Sequence, residues 1–112
     1  MRAIHWTKER TKRKYHNVPT EGFASKREAT RFGELKLLQR AGKISELRCQ
    51  VRVELVPKCE HERAVTWTAD FVYKEAPSWE EIWEDCKGAR TKDYVIKRKL
   101  VLWRFGKRIR ET

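Results

Sequence analysis

A chain of 112 residues is long enough for one domain built on one core and too short for two. Its 27 Lys and Arg outnumber 16 Asp and Glu, giving a formal net charge of +11 at pH 7 and a pI near 9.9; such an excess calls for a polyanionic partner, nucleic acid being the commonest. No apolar run approaches the roughly 20 residues of a spanning helix and no apolar signal core follows Met1, so no membrane partner is expected and the protein reads as soluble and cytoplasmic.

Residues 1–20 read as a basic N-terminal arm and 21–112 as the folded domain. In the arm Arg2, Lys8, Arg10, Lys12, Arg13 and Lys14 stand against Glu9, with Trp6 and Tyr15 interleaved. Such a segment either lies along a phosphate backbone and stacks on bases, or is a solvated tail. Lys12, Arg13 and Lys14 are its candidate DNA contacts. The first helix is expected from about Ser25 to Ala41. Ser25 with Glu28 three residues on is a capping pair; Ala29, Phe32, Leu35 and Leu38 recur at helical spacing; Gly42 stands where a helix commonly ends. Glu28 lies four residues before Phe32 and seven before Leu35, so it belongs to the N-terminal end of the buried stripe. From there its carboxylate can reach toward the sheet as well as complete the cap. Lys26, in the first turn, is a further phosphate-binding candidate.

From Glu46 to Val56, Leu47, Cys49, Val51, Val53 and Leu55 alternate with Arg48, Gln50, Arg52 and Glu54, which predicts a strand with one apolar face and one largely basic face. Pro57 and the charged Lys58-Cys59-Glu60-His61-Glu62 form the connection to a second strand. There Val65, Trp67, Ala69, Phe71 and Tyr73 share a face, leaving Asp70 on the other, where Thr or Val would be the natural residue. A third strand is expected from Glu80 to Lys87, with Ile82, Glu84 and Cys86 facing one way and Glu81, Trp83, Asp85 and Lys87 the other. Gly88 ends it. Thr91 caps a second helix from about Lys92 to Phe105, with one apolar stripe of Ile96, Leu100 and Trp103 and another of Tyr94, Val101 and Phe105, so most of its surface is expected to be covered. Lys97 falls within the second stripe, an awkward place for a lysine unless it snorkels or meets an anion. Gly106 stops the helix and Lys107 to Arg110 reads as a short edge strand. The order is helix, three strands, helix, strand, a mixed-sheet α+β arrangement. Cys49, Cys59 and Cys86 make an odd number and read as reduced thiols; Cys59 and His61 lack the second pair a zinc site needs.

Two carboxylates and a lysine on neighbouring strands are what hard-metal hydrolysis of a phosphodiester requires. Asp70 and Asp85 would supply oxygen ligands to Mg²⁺, and Lys87, on Asp85's face, would orient a water or hold a phosphate oxygen. Glu84 precedes Asp85, so a one-residue slip would exchange them; the shared face with Lys87 favours Asp85. Left without a cation, Asp70 and Asp85 would repel and at least one pKa would rise, so metal affinity and activity are expected to fall on acidification. A non-catalytic DNA- or RNA-binding protein would also explain the charge, the arm and the aromatics. It would not explain carboxylates on faces meant to meet phosphate.

Asp70 followed by Asp85-Cys86-Lys87, with Glu28 on a preceding helix, resembles the PD-(D/E)XK nuclease superfamily. Lys14-Tyr15-His16-Asn17, Ser25-Lys26-Arg27-Glu28-Ala29, Glu34-Leu35-Lys36-Leu37-Leu38, Ala69-Asp70-Phe71-Val72-Tyr73, Glu84-Asp85-Cys86-Lys87-Gly88 and Thr91-Lys92 resemble a family of small phage and prophage proteins of unknown function within it. Ala69 stands where that superfamily commonly has proline. The resemblance implies a restriction-endonuclease-like αβββαβ core and a metal-dependent DNA endonuclease, similar to Holliday junction resolvases that act as homodimers on branched DNA. It would place the protein in the cytoplasm of a bacterial host. It implies Mg²⁺ or Mn²⁺ ligated by Asp70, Asp85, the Cys86 backbone carbonyl and Glu28, with Lys87 positioning the attacking water. Gln50, Lys92 and Lys97, with Tyr94, are expected near the same cleft in structural or phosphate-binding roles. Trp79 and Trp83 are the candidates for a dimer surface, with a place in the core as the alternative for either.

Overall fold

The structure, a computed structural model, describes residues 23, 25–86 and 90–112. The expected basic arm and Lys87 therefore lie outside the described residues. Six elements follow in order: α1 (Lys26–Arg40), β1 (Ile44–Val56), β2 (Val65–Glu75), β3 (Glu80–Asp85), α2 (Lys92–Phe105) and β4 (Arg110–Glu111). The strands form one mixed sheet in the order β1-β2-β3-β4, antiparallel except for the parallel β3–β4 pair. Helix α2 is the crossover that a parallel pair requires.

Both helices are bounded by the residues that name them. The Ser25 hydroxyl accepts the Glu28 N–H at 3.2 Å and the Thr91 hydroxyl accepts the Tyr94 N–H at 3.1 Å, each satisfying a donor the first turn leaves over. At the far end of α1, Gly42 takes a left-handed φ of 79°. Gly42 N–H then donates to Gln39 and Lys43 N–H to Leu38, the Schellman closure. Gly106 ends α2 in the same region with φ 66°.

The sheet divides the interior into two apolar layers, where the chain length suggested one core. Val51, Val53, Leu55, Trp67, Ala69 and Val72 pack with Tyr94, Val101 and Ile109 beneath α2. Phe71, Tyr73 and Ile44 pack with Phe23 and Leu35 beneath α1, with Phe32, Leu47 and Cys49 at the margin. The expected single apolar face on each of β1 and β2 is thus corrected. Leu47 and Cys49 face the α1 layer while Val51, Val53 and Leu55 face the α2 layer; Trp67 and Ala69 likewise oppose Phe71 and Tyr73. The cause sits between the pairs Cys49↔Phe71 and Val51↔Ala69. Gln50 lies there with φ 53°, and one left-handed residue rotates the strand so that residues of equal parity point to opposite sides.

Three smaller expectations are also corrected. β3 is assigned only as far as Asp85, and the last strand is Arg110–Glu111, later than expected. The two stripes on α2 are each covered only in part: Tyr94 and Val101 are buried and Leu100 packs at the core margin, whereas Ile96 is 58%, Trp103 81% and Phe105 40% exposed. Of the two tryptophans that could belong to a surface or to the core, Trp83 is half-buried. Its ring packs at 6.1 Å from Trp67 and edge-on at 5.2 Å from Phe105, while Trp79 stays exposed.

Candidate functional site

The rotation at Gln50 sets up the place where the carboxyls meet. Strands β2 and β3 pair from Glu75↔Glu80 to Phe71↔Glu84, and one residue further the pattern changes. There the Asp70 carboxylate accepts the Cys86 N–H at 2.7 Å, a side-chain oxygen standing where a strand carbonyl would. Gln50 donates its amide to the other Asp70 oxygen at 3.4 Å. From the first turn of α1, Glu28, 7% exposed, brings its carboxyl within hydrogen-bonding range of Asp70. Helix α1, strands β1 and β2 and the end of β3 therefore converge on one half-buried carboxylate.

Burial, and next the carboxyl of Glu28, raise Asp70 to about 7, against the smaller opposing pull of the Cys86 N–H and the Gln50 amide. The physical content is simple: two carboxyls in one partly dry pocket cannot both carry charge cheaply, and either a proton or a cation relieves them. The same field reaches the neighbouring thiols. Burial first, then the charges of Asp70 and Glu28, push Cys49 up to about 12; burial likewise raises Cys86, whose Sγ donates to the Arg27 carbonyl. Both thiols stay protonated at neutral pH. The donors on offer are oxygens, which suit Mg²⁺ or Mn²⁺ rather than a thiolate-seeking metal.

Asp85 occupies a different setting. It is 1% exposed and accepts the Trp67 indole N–H at 2.9 Å on the α2 side of the sheet. Thr112 N–H bonds its backbone carbonyl, extending the β3–β4 pairing. Among the described residues no three His, Cys, Asp or Glu side chains are arranged to hold a metal ion. The structure thus brings Glu28, Asp70, Gln50 and the Cys86 backbone together and turns the Asp85 carboxylate to Trp67. Lys87, Lys12, Arg13 and Lys14 lie outside the described residues. Lys26 and Lys92 are exposed at the starts of α1 and α2, and Lys97 is half-buried.

Glu84 is fully committed elsewhere, which separates its role from that of Asp85. At 0% exposure it accepts from Arg31 through Nε at 2.7 Å and Nη2 at 3.2 Å, from the Tyr73 hydroxyl at 2.6 Å and from the Thr112 hydroxyl at 2.9 Å. The pair raises Arg31 above its ordinary value, and burial together with Glu84 pushes Tyr73 up to about 12. Sequence reasoning missed this cluster. Its one visible signal is Arg31 standing three residues after Glu28, on the side of α1 that meets β3. Tyr94, expected near the cleft, donates instead to Glu111 at 2.7 Å; Arg90 and Arg98 also bind Glu111, and these donors hold its carboxyl down at about 2.

Among the described residues no helix is long and apolar enough to cross a membrane. Residues 8–111 match a family described as "Protein of unknown function (DUF1064)". No curated protein and no solved structure matches the chain at a significant level.

Proposed function

The chain belongs to the DUF1064 family, and from that premise we propose that it is a metal-dependent DNA endonuclease of the PD-(D/E)XK type, built on a restriction-endonuclease-like αβββαβ core. The observation that carries the reading is the meeting of Glu28 and Asp70. In a chain of net charge +11, two carboxyls are gathered in one half-buried pocket at the start of a helix and the parting of two strands. A protein that only bound phosphate would gain nothing from them. The element order and the Asp85-x-Lys87 spacing at the end of β3 agree with it.

Two carboxyl groups, with water completing the shell, are a donor set of the kind a hard divalent cation takes. Asp70, Glu28 and the Cys86 backbone carbonyl would hold Mg²⁺ or Mn²⁺, and Asp85 would join them on leaving the Trp67 indole. When bound, such a cation polarises the scissile phosphate and lowers the pKa of a water. The chain's own side chains do the remainder. Lys87 would hold the attacking water in line, a matter of positioning more than of proton transfer. Lys26, Lys92, Lys97 and the arm residues Lys12, Arg13 and Lys14 would bind the phosphates on either side. The substrate would be branched DNA such as a four-way junction, and a homodimer would supply the two sites that cutting two strands needs.

Cleavage of labelled linear duplex, single strand, flap and four-way junction, with Mg²⁺, with Mn²⁺ and with EDTA, tests this. The reading expects metal-dependent cutting, strongest on the junction, and its loss in Asp70→Ala. A second reading, a DNA- or RNA-binding protein without catalysis, is favoured by the engagement of Asp85 with Trp67. Binding to all four substrates with no metal-dependent cutting by the native protein would establish that second reading and sink the first.

A further inference from the structure

We propose that Gln50 is a positioning residue for the Asp70 carboxylate, an inference that rests on the metal-centre reading above and adds to it a residue not in the ligand set. The non-glycine residues with left-handed backbone among those described are Glu46, Gln50, His61 and Trp79. His61 and Trp79 lie in connections between strands, and Glu46 lies at a register shift near the start of β1. Gln50 lies deep in the ladder, directly between the pairs Cys49↔Phe71 and Val51↔Ala69. Glycine or asparagine would adopt this conformation at less cost. A glutamine held there points to work done by its side chain.

That side chain reaches Asp70. The Gln50 amide meets Oδ1 at 3.4 Å and the Cys86 N–H meets Oδ2 at 2.7 Å. Each carboxylate oxygen thus receives one donor, from β1 on one side of β2 and from the residue that follows β3 on the other, and together they fix the plane in which the carboxylate is presented to Glu28. Groups that orient metal-ligating carboxylates in this manner typically affect metal affinity about 10- to 100-fold. The rotation of β1 and the hydrogen bond come from one residue. The backbone twist aims the amide at Asp70, and the amide holds what the twist has placed.

The two contributions separate by substitution. Gln50→Gly keeps the left-handed backbone and removes the amide. Gln50→Asn also tolerates that backbone but carries its amide one methylene short. Calorimetric titration of the full chain with Mn²⁺ alone, with the unfolding temperature measured beside it, reads the result. Gln50→Gly is expected to unfold no lower than the native protein while binding Mn²⁺ about 10- to 100-fold more weakly; Gln50→Asn is expected to weaken in the same direction and decides the matter if the glycine variant does not fold. Native affinity in a folded variant overturns the inference and leaves the metal centre standing. Absence of Mn²⁺ binding by the native protein overturns the metal centre, and the inference with it.

Discussion

Asp70 is costly to the fold before it is useful to it. Its folded pKa, near 7, lies above the ordinary carboxyl value of 3.8, so the folded chain holds a proton that the unfolded chain has already released. Stability must therefore fall as pH rises through that interval. In EDTA the protein is expected to unfold at a higher temperature at about pH 5 than at about pH 8, and Asp70→Asn should flatten this slope and stabilise the chain at the higher pH, the trade common at functional sites. A slope unchanged in Asp70→Asn would assign it to another group. Glu111 has the opposite sign: held at about 2 by Arg90, Tyr94 and Arg98, it contributes stability above the ordinary carboxyl range that is lost as pH falls toward that value. Glu84 presents a third case, a buried carboxylate whose charge is matched by Arg31. Arg31→Ala would leave it uncompensated and should cost about 3–5 kcal/mol in denaturant unfolding, whereas exposed Trp103 cut to alanine should change stability by under about 0.5 kcal/mol.

At the scale of elements, what could be read from the sequence was what depends on near neighbours. The limits of α1 and α2 follow from Ser25, Gly42, Thr91 and Gly106, each acting within a turn of itself, so Thr91→Ala should cost about 1 kcal/mol, checked by thermal unfolding. The faces of β1 and β2 could not be read. Leu47, Cys49, Val51, Val53 and Leu55 form an unbroken alternation, and only the φ of Gln50 splits it between two layers. Alternation records which residues are apolar, not which layer receives them. Trp67 and Phe71 have the same parity and likewise serve opposite helices, in the stretch of β2 that pairs with β1 on either side of Gln50. In the site, Glu28 and Asp70 were legible because a helix N-terminus and a polar break in a strand both carry sequence signals. Asp85 was legible as a residue but not as a contact: nothing near it in sequence announces that the Trp67 indole takes its carboxylate. Leu35 and Phe71, both fully buried on the α1 side, hold the helix that carries Glu28 against the strand that carries Asp70. Leu35→Ala should cost about 2–5 kcal/mol and should weaken metal binding through displacement of α1.

Across the whole molecule, the basic excess and the carboxyl pair have complementary tasks. On the proposed function, a net charge of +11 would draw in a polyanion and give an affinity that falls steeply with salt. On the same reading, the carboxyl pair would repel that polyanion until a cation neutralised it, which would confine tight phosphate contact at that point to the metal-loaded protein. Junction binding measured in EDTA should thus be strongly salt-dependent and somewhat tighter in Glu28→Gln, which removes one of the repelling charges. The most direct measurement is anomalous diffraction from crystals of the full chain soaked in Mn²⁺. The account predicts an anomalous peak bridged by the carboxylates of Glu28 and Asp70 beside the Cys86 backbone, absent from Asp70→Asn crystals. A native crystal with no peak there, or with Mn²⁺ bound only at other carboxylates, would contradict it.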